Sequence, residues 1–225
     1  MNELLIADDH PLFREALRGL ISKHYPGAKI YEAENADSVF SLVDDHADAD
    51  LLLLDLNMPG AEGYSSLVFL RAQHPQLPIA IISAHEDPML MRRAIDHGAM
   101  GYIPKSADIE TLCQAIDHIL TGEVWLPSNV QQAPAVTLKE KEAAQRVSEL
   151  TPQQFRVLQM VTRGRLNKQI AYDLGVSETT IKTHMTAILR KLGVSNRTQA
   201  VLLAYELDLQ SKTEADLREF LGEQP

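Results

Sequence analysis

The sequence predicts an α/β unit built on a five-stranded, parallel, doubly wound sheet, followed by an all-α unit of four helices. Three observations predict it. Short apolar runs alternate with helix-patterned stretches through the first half of the chain, and from Leu150 onward all periodicity is helical. Four of the runs also end on polar residues: Leu4-Leu5-Ile6-Ala7 enters Asp8-Asp9, Leu51-Leu52-Leu53-Leu54 enters Asp55, Ile79-Ala80-Ile81-Ile82 enters Ser83, and Tyr102-Ile103-Pro104 enters Lys105. Runs of this length read as strands buried on both faces. Their alternation with helices implies right-handed βαβ units, whose ligands sit beyond the carboxyl ends of the strands. The four polar groups are therefore expected on one rim.

In chain order, the first strand is followed by Leu12, Ala16, Leu17, Leu20 and Ile21 at helical spacing, until Tyr25-Pro26-Gly27 stops the helix. Lys29–Ala33 reads as the second strand, and Ser38 as the cap of a short helix carrying Val39, Leu42 and Val43. Asp48-Ala49-Asp50 leads into the leucine strand, and a Met58-Pro59-Gly60 turn follows it closely. Helices over about 63–73, 88–97 and 108–121 complete five βα units, so residues 1–121 are expected to form one domain. Residues 122–149 break the pattern. Pro127, Ser128, Asn129, Gln131, Gln132 and Pro134 make an irregular stretch, and residues 138–147 form a charged helix candidate with little apolar face, together reading as a linker. In residues 150–208, Thr151-Pro152 opens a helix with Phe155, Leu158 and Val161 inward. Gly164 ends it, residues 167–174 form a second helix stopped by Gly175, and Ser177-Glu178-Thr179-Thr180 opens a third that closes at Gly193. Helix, tight glycine turn, helix is the helix-turn-helix arrangement. A fourth helix over about 197–208 carries Ala200, Val201, Leu203, Ala204 and Leu207, and residues 209–225 read as a tail with Leu217, Phe220 and Leu221 on a short amphipathic turn.

The net charge of −10 conceals a division. Residues 1–125 hold eight Lys/Arg against twenty Asp/Glu, whereas residues 150–210 hold eight against four. The acidic half concentrates divalent cations and repels polyanions, and the basic segment does the reverse. The single cysteine, Cys113, falls on an apolar helical stretch and reads as a buried small hydrophobe in a reducing compartment. With no leader pattern and no run of eighteen apolar residues, the chain is expected to be soluble, cytoplasmic and free of membrane contact.

Adjacent carboxylates at one strand end, with another from a neighbouring strand, supply the hard oxygen donors that Mg²⁺ takes. A lysine opposite them neutralises a transferred phosphoryl group, and a hydroxyl can bond its oxygens. Residues 1–121 resemble the receiver domain of two-component response regulators, a flavodoxin-like fold, in Asp8-Asp9, Asp55-Leu56-Asn57-Met58-Pro59-Gly60, Ser83-Ala84 and Gly101-Tyr102-Ile103-Pro104-Lys105. The resemblance implies that Asp55 accepts a phosphoryl group from a phosphohistidine. It also implies Asp9 and Asp55 as direct Mg²⁺ ligands, Asp8 as a ligand through water, and the main-chain carbonyl of Asn57 as the third protein ligand. Lys105 would pair with phosphoryl oxygens, Ser83 would move toward them, and Ala84 would leave the site accessible. Tyr102 stands either as the family's switch aromatic or as a half-exposed strand residue. Asn57 and His85 occupy positions that tune dephosphorylation in the family, and Ser83 stands where threonine is frequent.

On the third helix of the second half, Ile181, Met185, Ile188, Leu189 and Leu192 form one apolar stripe, and Thr179, Lys182, Thr183, Thr186 and Arg190 share the opposite face. Cations and hydroxyls suit DNA phosphates and base edges. Residues 150–208 resemble the LuxR-type helix-turn-helix in Leu150-Thr151-Pro152, Asn167-Lys168-Gln169-Ile170-Ala171, the residues from Ser177 through His184, and those from Lys191 through Arg197. That likeness makes residues 178–191 the recognition helix, with Lys182, Thr183 and Thr186 nearest the bases and Lys168, Thr180 and Arg190 on the backbone. Gln154 stands where the family usually has glutamate, and His184 reads as packed against a neighbouring helix.

Together the resemblances imply a phosphorylation-controlled transcription regulator of the NarL/FixJ type. Its partners would be a sensor histidine kinase, a pseudo-palindromic promoter site, RNA polymerase and a second copy of the chain, with dimers favoured by phosphorylation. The unphosphorylated receiver would hold the DNA module closed until Asp55 is modified. Two other readings are a constitutive DNA-binding protein whose receiver serves only dimerisation, and an aspartyl-phosphate phosphatase. The second is disfavoured because phosphatases of that kind carry an aspartate two places after the nucleophile, where this chain has Asn57. No turnover enzyme is expected.

Overall fold

Three of the five strands are leucine, isoleucine and alanine runs, and they assemble as the apolar pattern dictates. The computed structural model describes residues 1–58, 63–127, 130 and 133–208. Pro59 and Gly60 of the expected turn, Ser128, Asn129, Gln131 and Gln132 of the irregular stretch, and the tail at 209–225 lie outside the described residues. Contacts divide the chain into two units, residues 1–136 and residues 137–225.

In the first unit, β1 (Glu3–Ala7), β2 (Lys29–Ala33), β3 (Leu51–Asp55), β4 (Ile79–Ser83) and β5 (Gly101–Pro104) form one parallel sheet in the order β2-β1-β3-β4-β5. Side chains alternate between faces along each strand. Leu4, Ile6, Leu51, Leu53, Ala80, Ile82 and Ile103 therefore meet α1 (Pro11–His24) and α5 (Ile109–Leu120) through Leu17, Ile21, Leu112, Ala115, Ile116 and Ile119. Leu5, Ala7, Leu52, Leu54, Ile79 and Ile81 meet α2 (Ala36–Asp45), α3 (Tyr64–Gln73) and α4 (Pro88–Asp96) on the other side. Covering both faces is what makes the β1, β3 and β4 runs apolar at nearly every position instead of alternating.

Local chemistry departs from the sequence reading at two places. The cap of α2 is Asn35, whose side chain accepts from the Ser38 N–H at 3.0 Å while Ser38 Oγ returns to the Asn35 N–H at 3.1 Å. Ser38 is thus the reciprocal member of a capping box, three residues into the turn. Described residues of the expected linker belong to the first unit: Trp125 forms a parallel bridge with Gly101, and Val130 joins the core beside Leu126 and Ala133. The Trp125 N–H donates to the Met100 carbonyl, which prolongs the pairing beyond β5.

The second unit contains α6 (Leu138–Ser148), α7 (Pro152–Thr162), α8 (Asn167–Asp173), α9 (Glu178–Leu192) and α10 (Arg197–Asp208). Despite its charged sequence, α6 buries Ala143 and Val147 and packs on α9 and α10. Its Arg146 donates to the Leu192 carbonyl, satisfying an acceptor that the end of α9 leaves open. Gln154, the departure from the family pattern, completes a capping box with Thr151, accepting from its N–H at 3.1 Å. An amide does this as well as a carboxylate, so the start of α7 is intact. In α10, Ala200, Val201, Leu203, Ala204 and Leu207 are all buried. That stripe serves the unit's own core, with α6, α7 and α9 packed against the helix.

Candidate functional site

The chain leaves β1 for β2 on one side and returns to β3 on the other, so the strand order reverses between β1 and β3. In open parallel sheets the crevice beyond such a reversal is the ligand site. Asp8 is the first residue past β1 and Asp55 the last of β3, and both are fully buried. Lys105, the first residue past β5, reaches back across β4: its Nζ lies 2.6 Å from Asp8 Oδ2 and 2.8 Å from Asp55 Oδ2. The main chain fixes its base, because the Lys105 N–H donates to the Ser83 carbonyl at 2.7 Å. Phe13 covers the ammonium from α1, with the ring centroid 4.8 Å away. Burial pulls Lys105 toward the neutral form, but the hydrogen bond to Asp55 and the negative charge of Asp55 and Asp8 outweigh it and hold its pKa above the ordinary lysine value.

Asp8, Asp9, His10 and Asp55 each bring a donor atom within 4.8 Å of the others. The donor set is therefore three carboxylates and an imidazole facing one ammonium. Asp8 Oδ2 and Asp9 Oδ1 are buried without an aligned hydrogen-bond donor, although Lys105 and His10 stand at ion-pair distance. Buried anionic oxygens in excess of nearby cationic charge fit a divalent cation with oxygen ligands. The Asn57 N–H donates to Asp55 Oδ1 at 3.0 Å, so both oxygens of Asp55 are engaged.

Ser83 is buried at the end of β4 between Asp55 and Lys105 in strand order, and its Oγ accepts from the His85 N–H at 3.3 Å. Ala84 and His85 are exposed. Tyr102 is not half-exposed: it is fully buried, its hydroxyl donates to the His85 carbonyl at 2.8 Å, and burial chiefly pushes its phenol up to about 12. Strand pairing aligns Ile81 with Tyr102, which turns the ring into the sheet–helix core. Sequence reading also passed over His10, whose signal was its place directly after two carboxylates, and Arg14, which donates to the Asp8 carbonyl at 2.6 Å and holds that loop.

In the second unit, Ser177 caps α9 by accepting from the Thr180 N–H at 3.1 Å, and Gly193 closes it in the left-handed conformation at φ 65°. Ile181, Met185, Ile188 and Leu192 are buried and Leu189 is half-buried. Thr179, Lys182, Thr183, Thr186 and Arg190 are exposed together on the opposite face, with Lys168 exposed on α8 and Thr180 half-buried at the start of α9. Glu178 lies 3.1 Å from Lys182 in an exposed i,i+4 pair, too weak in water to withdraw that lysine from a phosphate. His184 is half-buried.

Comparison with known proteins covers both units. The response regulator receiver domain family matches residues 4–117, and the luxR family of bacterial regulatory proteins matches residues 148–204. A glycerol metabolism activator of Pseudomonas putida is 44% identical over 214 residues, covering 92% of this chain and 97% of that protein. The nitrate/nitrite response regulator protein NarL of Escherichia coli strain K12 is 32% identical over 207 residues, covering 90% of this chain and 94% of that protein. The RcsB response regulator of Salmonella typhimurium shares the fold, with a TM-score of 0.53 at 23% identity over 89% of this chain and 96% of that one. The sheet, its acidic pocket and the helix-turn-helix thus define a receiver joined to a DNA-binding module. The chain belongs to the response regulators with a LuxR-type DNA-binding domain, and it is a DNA-binding transcription regulator. Among the described residues no helix is long and apolar enough to cross a membrane.

Proposed function

We propose that Asp55 accepts a phosphoryl group from the phosphohistidine of a sensor kinase, and that the modified chain binds a pseudo-palindromic promoter site as a dimer. The observation that carries this reading is the grip of one ammonium, Lys105, on Asp8 and Asp55 from three different strand ends. An Asp55 oxygen attacks phosphorus while the phosphorus–nitrogen bond breaks and its electron pair leaves with the imidazole. Lys105 then turns from a carboxylate partner into a partner of the new phosphoryl oxygens. Asp8, Asp9, Asp55 and the Asn57 carbonyl are the groups that would hold Mg²⁺, which supplies charge neutralisation at those oxygens when bound. Ser83 gives up its bond to the His85 N–H to meet the phosphoryl group, and the small side chain of Ala84 leaves it room. That shift and the Tyr102 hydroxyl act on the same short segment, since Ser83 bonds the N–H of His85 and Tyr102 its carbonyl.

In this reading residues 1–121 are the receiver, 122–149 the linker, 150–208 the DNA-binding domain and 209–225 a tail. Phosphorylation releases the DNA-binding domain and favours dimers, and the protein acts in the cytoplasm with RNA polymerase. Lys182, Thr183 and Thr186 read bases, Lys168, Thr180 and Arg190 hold phosphates, and Thr179 shares the DNA-facing side of α9. The test is labelling of the full chain by a small phosphodonor with Mg²⁺ present. Wild type takes up one phosphoryl group and Asp55→Asn none; stoichiometric labelling of the variant would overturn the assignment. Promoter affinity that is identical with and without a beryllofluoride mimic would instead favour constitutive binding.

A further inference from the structure

We infer that the start of the linker is a strap, held on the first unit at Trp125 and at Val136, and that phosphorylation of Asp55 undoes the second point, the hydrogen bond from the Val136 N–H to Asp96. The inference rests on the reading above, since its trigger is a phosphoryl group on Asp55, and it goes further by naming the contact that responds. β5 is the last strand of the sheet, so its outer edge is open to pairing. Trp125 takes that edge: its N–H donates to the Met100 carbonyl at 2.9 Å, and its carbonyl accepts from the Tyr102 N–H at 3.3 Å. The second point lies on a different element. The Val136 N–H donates at 3.0 Å to Oδ2 of Asp96, the last residue of α4. Arg92, one turn earlier, holds Asp96 Oδ1 at 3.1 Å, which leaves the other oxygen for the linker. The Asp96 side chain is 14% exposed and Val136 8%, so this charge-assisted bond is shielded from water.

Tyr102 connects the strap to the phosphoryl site. Its main-chain N–H is bonded to Trp125 and its hydroxyl donates to the His85 carbonyl at 2.8 Å, while the His85 N–H donates to Ser83 Oγ at 3.3 Å. When Ser83 turns to a phosphoryl oxygen, the His85 segment loses that bond and the partner of the Tyr102 hydroxyl shifts. The Tyr102 ring shares one core cluster with Met91 and Ala94 of α4 and with Leu126, Val130 and Ala133 of the linker. A close-packed core passes such a shift on to its neighbours. A strap fixed to β5 at one end and to α4 at the other keeps both attachments at only one setting of α4 against β5. Trp125 is tied by two main-chain hydrogen bonds, whereas the Val136 N–H depends on a side-chain acceptor, so the Val136 end yields. Val136 immediately precedes Thr137, whose side chain caps α6, and its release lengthens the free tether ahead of that helix.

The test compares the full chain with and without beryllofluoride and MgCl₂. Amide hydrogen exchange reads the Val136 end, and acrylamide quenching of Trp125, the single tryptophan of the chain, reads the other. The Val136 N–H is expected to exchange about tenfold faster with the mimic, on the scale of losing one hydrogen bond to a charged group, while quenching of Trp125 stays the same. Asp96→Ala brings Val136 to the fast rate without the mimic and abolishes its response. Arg92→Ala, which removes the ion pair but not the acceptor, keeps both the slow rate and the response. Should Asp96→Ala fail to fold, the wild-type exchange rates still decide. Unchanged Val136 exchange in a chain whose Ser83–His85 amides respond to the mimic would overturn the inference and leave the phosphorylation reading standing. A rise in Trp125 quenching that matches the rise in exchange would show the strap leaving as a whole, and would overturn Asp96 as the point that yields. No response at Val136 or at Ser83–His85 would remove both readings.

Discussion

Lys105 is what allows Asp8 and Asp55 to share one buried crevice. Removing one partner of a buried ion pair strands the other charge, so Lys105→Met lowers stability by about 3 kcal/mol, measurable by urea denaturation. Asp9→Asn acts in the opposite direction. Removing one of three like charges raises the stability of the metal-free protein and abolishes the gain that added MgCl₂ gives the wild type. These residues were legible because each follows a strand directly, and topology alone carries strand ends to a common rim. Tyr102 and His10 were not legible to the same degree. Which way a ring turns depends on neighbours from other elements: β4 and the His85 carbonyl for Tyr102, two aspartates for His10.

At the scale of elements, two joints of the sheet decide how well the strands hold. Gly101 stands where β5 meets both α5 and the bridge to Trp125, and a Cβ there would lie 2.6 Å from Ile119 Cδ1 and 3.3 Å from the Trp125 carbonyl. Gly101→Ala therefore forces Ile119 aside and lowers thermal stability by about 1–3 kcal/mol; an unshifted melting point would show that the contact relaxes freely. Asp50, just before β3, accepts from the Asn2 and Glu3 N–H groups and ties the start of β1 to β3. Burial pushes its pKa up, but those two hydrogen bonds outweigh burial and hold it below the ordinary aspartate value. Its contribution is therefore complete above the unfolded-state pKa of about 4 and is lost as pH falls through the lower folded-state value. Asp50→Asn is expected to weaken the protein at neutral pH and to lose less stability than wild type on acidification, as followed by circular dichroism. The strands and most helix starts were readable from apolar runs and capping residues. The fates of Trp125, Leu126, Val130, Ala133 and α6 were not, because these few apolar side chains find partners only after the sheet and α9–α10 exist.

For the whole molecule, the opposed charges of its halves set what each binds. The segment 150–210, with eight cations against four anions, gives DNA affinity that tracks the number of phosphates neutralised. Arg190→Ala, removing an exposed proposed phosphate contact, is expected to weaken promoter binding on all sequences and to reduce the slope of log affinity against log salt by about one; Lys182→Ala, proposed nearer the bases, also relaxes sequence preference. Fluorescence anisotropy at several salt concentrations separates the two. The sequence by itself determined the parallel sheet, the helix-turn-helix and the meeting of Asp8, Asp55 and Lys105. Each follows from a local pattern, such as apolar runs, glycine stops and polar strand ends, that can be satisfied in few ways. Only the tertiary structure decided that Tyr102 is buried, that the α10 stripe is consumed by its own core, and that His10 closes on the carboxylates. Those outcomes rest on contacts between segments distant in sequence or on side-chain directions, which no local period encodes.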